Sequence, residues 1–352
     1  MVTAQRISHV QLQYSHTIGR GEQFGPGFTY PIHMALGEDD LMYVLCRSSE
    51  YRPEGTRVTV CTVDEEYVNA FARGVPQQGP HEYNFEDGSL VWPVNVAIAS
   101  DGTVYVSDEW LHRISKFTRD GEYIGKWQEN IGSGDGQLDR PAGLAIDADD
   151  NVWVVDGNNH RVQKFTPDGQ FLMKFGSQGS GDGELDQPWG IDIDSQGNIY
   201  IADWRNDRIQ KFSPSGDFLM KFGSSGDGDG EFNRPADVAV DKDGIIYVAD
   251  WMNHRLQYFD PDGNYCGSKT GDATVSKWGK DKLDANPEMW GERDRAPGLE
   301  RERAPGLERE RDFWAPTGVA VDADNRVFVC EGPRNRIQVY QKQGLMFMGP
   351  RL

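Results

Sequence analysis

The stretch Val152-Trp-Val-Val-Asp-Gly-Asn-Asn-His-Arg-Val-Gln-Lys-Phe165 decides the fold. Two β-branched and aromatic runs, Val152–Asp156 and Arg161–Phe165, flank the polar loop Gly-Asn-Asn-His, which reads as strand, loop, strand. Upstream, Pro141–Asp147 is another such run, and Ala-Asp-Asp-Asn supplies its turn. Downstream, the turn Thr-Pro-Asp-Gly precedes Gln170–Phe175. Asp, Asn, Gly and Pro stand where tight antiparallel connections need them. The unit is four strands, a to d in chain order. Its Arg161 has counterparts at Arg113, Arg208 and Arg255, spaced 48, 47 and 47 residues apart. Arg336 follows after 81 residues, one period plus an insertion of 34. A weaker copy, Thr-Arg-Val-Thr-Val-Cys-Thr, places Arg57 at the start of the series.

Six four-stranded units predict an all-β fold, a six-bladed β-propeller. One such sheet cannot bury both faces, and radially packed blades can. Asn-His-Arg followed by Val/Leu, Gln, Lys/Tyr and Phe, after a strand ending in Asp and before Pro-Asp-Gly, resembles the NHL repeat. The resemblance runs from Pro31 to Tyr340 and implies a single propeller over residues 1–352. It leaves function open, because propellers of this type include lyases, RNA-binding domains and interaction scaffolds. Ring closure is expected from pairing of the N- and C-terminal segments. Gln11–Ile18 looks like a d strand and is the expected clasp; Leu345–Met348 also looks like one, and a five-stranded last blade would take both.

Composition narrows the function classes. Hydrophobic residues are 37% and aromatics 11%, too many for a disordered chain. The net charge of −20 opposes general phosphate-backbone binding, so no nucleic-acid partner is expected. No run of about 18 apolar residues exists, so no membrane span is expected. The opening MVTAQRISHV lacks the apolar core of a secretory signal, which makes a cytoplasmic location the expectation if Met1 is the natural start. Cys46, Cys61, Cys266 and Cys330 have no metal spacing and read as buried free thiols.

The strand order puts the d-to-a and b-to-c loops on one face, here the top. All the large insertions fall there: Arg47–Thr56, Arg73–Trp92 and Gly267–Trp314. Variable loops on a rigid scaffold are where function tends to sit. The insertion at 267–314, between blades 5 and 6, holds Trp278, Met289 and Trp290, then the tandem duplication APGLERER at 296–303 and 304–311. The duplication reads as slippage in a solvated loop with short helices; the alternative is a lid in which Trp278 and Trp290 close over the tunnel.

Strand a lines the tunnel. Two residues after its Pro stand His33, Asn95, Gly143, Gly190, Asp237 and Gly318. His33, Asn95 and Asp237 are ligand-type side chains converging on one axis, able to hold a divalent cation, calcium or zinc. Gluconolactonase-type propellers imply calcium there; no organic cofactor is expected. Resemblance to the amidating lyase that cleaves peptidyl-hydroxyglycine implies zinc histidines directly after the Pro. Here Ile32, Val94, Ala142, Trp189, Ala236 and Thr317 stand there, so that zinc site is missing.

Asp108, Asp156, Asp203, Asp250 and Glu331 end strand b, each with an Arg a few residues on, which reads as a structural acid–Arg pair. His112, His160 and His254 recur with it and read as structural. Blade 1 has Cys46 in place of the acid, which could free Arg57 for a ligand. Trp110, Trp204 and Trp251 in b-to-c loops, Trp189 beside strand a, and the adjacent Glu109 and Arg205 suit a small-molecule pocket or a protein interface.

The expected function is a small-molecule lyase or hydrolase at the top mouth, with a divalent cation. His33, Arg57 and Arg205 are its catalytic candidates. The alternative is a non-catalytic scaffold that binds a protein partner on the same Trp-rich face.

Overall fold

A computed structural model of the chain describes residues 7–23, 25–48, 55–74, 87–127, 131–286 and 311–347. Their strands form six four-stranded antiparallel sheets, the blades of a six-bladed propeller. Blade 3 comprises Pro141–Ile146, Val152–Asp156, Arg161–Phe165 and Phe171–Phe175, within a residue of the sequence expectation. Strand b is buried along its whole length, which is why it reads as a continuous apolar run. Strand d alternates because one side meets water; Leu172 is 47% exposed.

The six a strands contact one another in a ring around the axis. Ile7–Ile18 closes that ring, pairing antiparallel with Arg336–Phe347 as the outer strand of blade 6. The N-terminal clasp is therefore present. The second expectation is corrected: Leu345–Phe347 continues strand c, and the last blade has four strands.

One polar frame recurs. In blade 3, Asp156 accepts from Asp139 N–H (2.7 Å), Asn159 Nδ2 (2.9 and 3.0 Å), Arg161 Nε (2.8 Å) and Gln163 Nε2 (3.0 Å). Arg161 then donates to the carbonyls of Ser133, Gly134 and Gln137. The Gly-rich loop is a carbonyl cage around that guanidinium. A Cβ on Gly132 would come within 2.2 Å of Gln137 Oε1, so a side chain there would push the end of Gln137 aside. Asp203–Arg208, Asp250–Arg255 and Glu331–Arg336 repeat the ion pair at 2.7, 2.7 and 2.6 Å.

A second device joins neighbouring blades. His112, His160 and His254 have left-handed backbones, and each Nδ1 accepts the N–H of the residue before the next blade's Pro: Arg140, Gln187 and Ala315. Asp207 and Asn335 do the same for Arg234 and Tyr30. The recurring histidines are structural, and they hold residues at the tunnel mouth.

The insertion after blade 5 begins beyond Lys269, where the d strand ends. Among the described residues it forms one helix, Lys277–Asp284, capped by Ser276. Trp278 is 5% exposed and packs edge-on against Phe28 in the seam between blades 6 and 1, with Ile18 and Val63. Glu65 accepts from Gly19 N–H (2.6 Å) and Trp278 N–H (3.1 Å). The insertion thus straps the closing strand at the ring's rim, and Trp278 does not reach the mouth as a lid would require. Met289, Trp290 and the duplication through residue 310 lie outside the described residues. No helix among the described residues is long and apolar enough to cross a membrane.

Candidate functional site

Three positions per blade feed the top mouth: the residue before the strand-a Pro, the residue after it, and the residue following the strand-b acid. The frame fixes their backbones, and their side chains vary. They enclose a cavity of about 240 Å³. Its floor is Ile32, Val94, Ala236 and Thr317, from the position after Pro. On the side of blades 1 to 3 stand Tyr30, Arg47, Glu109 and Arg140; on the side of blades 4 and 5 stand Trp189, Trp204 and Trp251.

The first side is an ion cluster. Glu109 is 4% exposed and accepts from Arg47 Nη2 (3.0 Å) and from Arg140 Nη2 (2.9 Å) and Nε (3.2 Å). Arg47 also lies over the Trp92 ring at 4.2 Å. Burial lowers the Arg47 guanidinium to about 10, against the pull of Glu109. It remains a cation at neutral pH and is a partly desolvated one. Tyr30 and Arg140 sit at φ 47° and 57°, left-handed conformations that non-glycine residues rarely hold unaided. Asn335 and His112 hold them there, at 2.7 and 3.0 Å.

The second side is aromatic. Trp189 and Trp204 have ring centres 6.5 Å apart, Trp204 and Trp251 6.3 Å, with tilts of 38° and 34°. The three rings step round the mouth as a curved wall, and the Arg234 guanidinium covers Trp204 at 4.6 Å.

One level down, His33 Nε2 lies 3.3 Å from Asp237 Oδ2, which also accepts Val319 N–H at 2.9 Å. A Cβ at Gly190 would come within 2.4 Å of Asp237 Oδ1, so glycine there admits the Asp side chain. Asp192 lines the same part of the tunnel and is pushed up to about 7, by burial first and by the charge of Asp237 after it. Three buried polar atoms here have no partner: His33 Nδ1, Asn95 Oδ1 and Thr317 Oγ1. They belong to the adjacent blades 1, 2 and 6.

A family described as NHL repeat matches residues 138–165, and a family described as 6-bladed beta-propeller matches 194–347. The chain is a six-bladed propeller that carries an NHL repeat. No curated protein matches it in sequence. Among solved structures it is similar to a gluconolactonase from Xanthomonas campestris, with TM-score 0.57, 15% identity, and coverage of 96% of this chain and 92% of that one. A catalytically inactive virginiamycin B lyase from Staphylococcus aureus, solved with quinupristin, gives 0.54, 14%, 95% and 89%. A Bacteroides thetaiotaomicron protein of unknown function gives 0.58, 19%, 94% and 76%. At these identities the likeness is one of fold.

In this propeller the sequence-derived candidates separate. Trp189, Trp204, Trp251 and Glu109 all face the mouth cavity. Trp110 lies beside it, 49% exposed, its ring 6.2 Å from that of Trp92. Arg205 is exposed and outside the cavity lining. Arg57 is fully buried and turned inward: it donates to Thr59 and to the carbonyls of Gln23, Gly25 and Gly27. Cys46 leaves it without a carboxylate, and the cage carbonyls take its donors, so it does not serve the mouth.

His33 and Asp237 meet as a pair, with Asn95 on the neighbouring blade. Among the described residues no three His, Cys, Asp or Glu side chains gather as a metal-holding group. The cation set therefore depends on the Asn95 carbonyl oxygen. Arg47, Arg140 and Tyr30 are mouth residues that reading by residue type overlooks. Aligning the six units on the strand-b acid and the strand-a Pro would have found them: Arg47 occupies the column of Glu109, Trp204 and Trp251, and Tyr30 and Arg140 stand directly before the strand-a Pro.

Proposed function

We propose that the propeller is a small-molecule lyase or hydrolase working at its top mouth. The carrying observation is the cavity itself, with an Arg47–Glu109–Arg140 cluster on one side, three tryptophans on the other, and the His33–Asp237 pair below. Such a site can fix an organic substrate by its apolar body and its charge, then move a proton. Asp237 faces Nε2 of His33, which leaves Nδ1, buried and unpartnered, as the atom to take or give that proton. Arg47 and Arg140 stand where developing negative charge would be stabilised. Alternatively His33, with Asn95 and Asp237, would hold a divalent cation that supplies Lewis-acid polarisation, and would then not carry the proton.

A panel of lactones, esters and cyclic ester substrates tests the reading. Turnover should fall about 10²-fold or more in His33→Gln, with unfolding temperature unchanged. No turnover across the panel, together with no bound metal in elemental analysis of gel-filtered protein, would sink it. The scaffold reading draws on a separate observation: Trp92 and Trp110 form an exposed pair, 41% and 49% accessible, beside the mouth. If a protein partner docks there, Trp110→Ala should abolish its binding and leave turnover unchanged.

A further inference from the structure

The mouth cavity has two unlike halves, and together they specify a ligand. We infer that it takes a flat aromatic ring bearing one negative charge, with the ring on the tryptophan wall and the charge at Arg140 and Arg47. This rests on the small-molecule reading of the site. The argument begins with charge. Arg47 and Arg140 share a single carboxylate, Glu109, so the cluster carries one surplus positive charge in a chain whose net charge is −20. Both Glu109 oxygens are occupied by guanidinium donors. The carboxylate therefore positions the two arginines.

Arg140 gives Glu109 its Nε and Nη2, and among the described residues its Nη1 has no partner. Its side chain is 53% exposed at the mouth. That unused edge is the geometry a carboxylate accepts well. The surplus favours an anion over a neutral ligand, and a cation would be repelled.

Shape completes the class. Ile32, Val94 and Ala236 make a low apolar floor, and the Trp189–Trp204–Trp251 wall offers ring faces. Buried aromatic walls favour another ring through apolar area and offset stacking. A volume of about 240 Å³ lies below the range usual for drug-sized ligands and suits one or two fused rings.

The experiment titrates the full chain with three isosteric probes, 2-naphthoate, 2-naphthamide and 2-naphthylmethylammonium, followed by tryptophan fluorescence and calorimetry. Naphthoate should bind about ten-fold tighter than naphthamide, the effect of one charge-assisted contact, and the ammonium most weakly. Arg140→Gln should bring the first two within about two-fold, Arg140→Lys should keep the order, and Trp204→Leu should weaken both. Equal binding of naphthoate and naphthamide overturns the inference, and so does a preference that survives Arg140→Gln. Loss of the preference alongside His33-dependent turnover discards the substrate class and keeps the enzyme. A clear naphthoate preference without turnover on any substrate supports the ligand class and removes the enzyme.

Discussion

Blades 3 to 5 and blades 1 and 2 are built from one repeat and do different work. In blades 3 to 5 the strand-b acid, the Arg and the Gln close a complete frame; Asp203, for instance, takes Asp186 N–H, Asn206, Arg208 and Gln210. In blade 2, Asp108 is taken up by the backbone N–H groups of Val91, Trp92, Trp110 and Leu111, and Arg113 keeps an unpartnered Nε. In blade 1 the acid is Cys46. The two irregular blades supply Tyr30, Arg47 and Glu109 to the mouth and His33 and Asn95 below it; the regular ones supply the tryptophans, Arg140 and Asp237. The difference teaches that the cage of loop carbonyls is the constant part. The carboxylate can be given up, as at Cys46 in blade 1, and the residue after it varies whether or not the acid is kept.

The largest expected effect breaks the frame on each side. Asp203→Ala strands a buried guanidinium, two side-chain amides and a backbone N–H at once, and should cost about 3–5 kcal/mol in urea unfolding. Cys46→Ala removes a small apolar side chain from a blade whose Arg57 already does without a carboxylate, and should cost about 1 kcal/mol. Equal costs would mean that the carboxylate adds nothing the cage does not already supply.

A smaller effect lies in the tunnel, between the regular blades 4 and 5. Asp192 bonds Val240 N–H at 2.7 Å, and its carboxyl is pushed up to about 7. The folded chain therefore holds a proton that the unfolded chain releases near pH 4, and stability falls as pH rises from about 4 to 7. Asp192→Asn keeps an acceptor for Val240 and removes the ionisation. It should be on the order of 1–2 kcal/mol more stable than the parent at pH 8 and equal to it near pH 4. A variant destabilised at both pH values would show that the ionised carboxylate is needed where it stands.

Most of the fold was legible because a propeller repeats its chemistry. The Arg spacing, the acid ending strand b and the turn residues each occurred five or six times, and coincidence does not do that. The helix Lys277–Asp284 left no such trace: Trp278 and Leu283 are its apolar anchors, too few for a helical period. Arg57 was misread for a different reason. Its partners are main-chain carbonyls, which a list of side chains does not contain. The mouth was half legible. Trp and Glu109 stood out by residue type, while Arg47 and Arg140 look like ordinary surface cations until the units are aligned by register.

The smallest effect tests the bond that places the mouth residues. His254 Nδ1 accepts Ala315 N–H at 3.0 Å, and burial lowers the pKa of the ring. Protonation at Nδ1 removes the lone pair, so the bond survives only in the neutral ring. With the folded pKa below the ordinary value of about 6.5, this stabilisation is fully present above that pH and is lost as pH falls through the folded pKa. At the seam between blades 6 and 1 an asparagine, Asn335, makes the same bond to Tyr30 N–H at 2.7 Å. His254→Asn should therefore preserve the contact and lose its titration. Between pH 7 and pH 5 the variant should shed less stability than the parent, by about 1 kcal/mol or less. Parallel pH profiles would mean that the seam tolerates the charged ring, and that Ala315 is held by the frame of blade 6 through Trp314 N–H on Glu331 rather than by its neighbour across the seam.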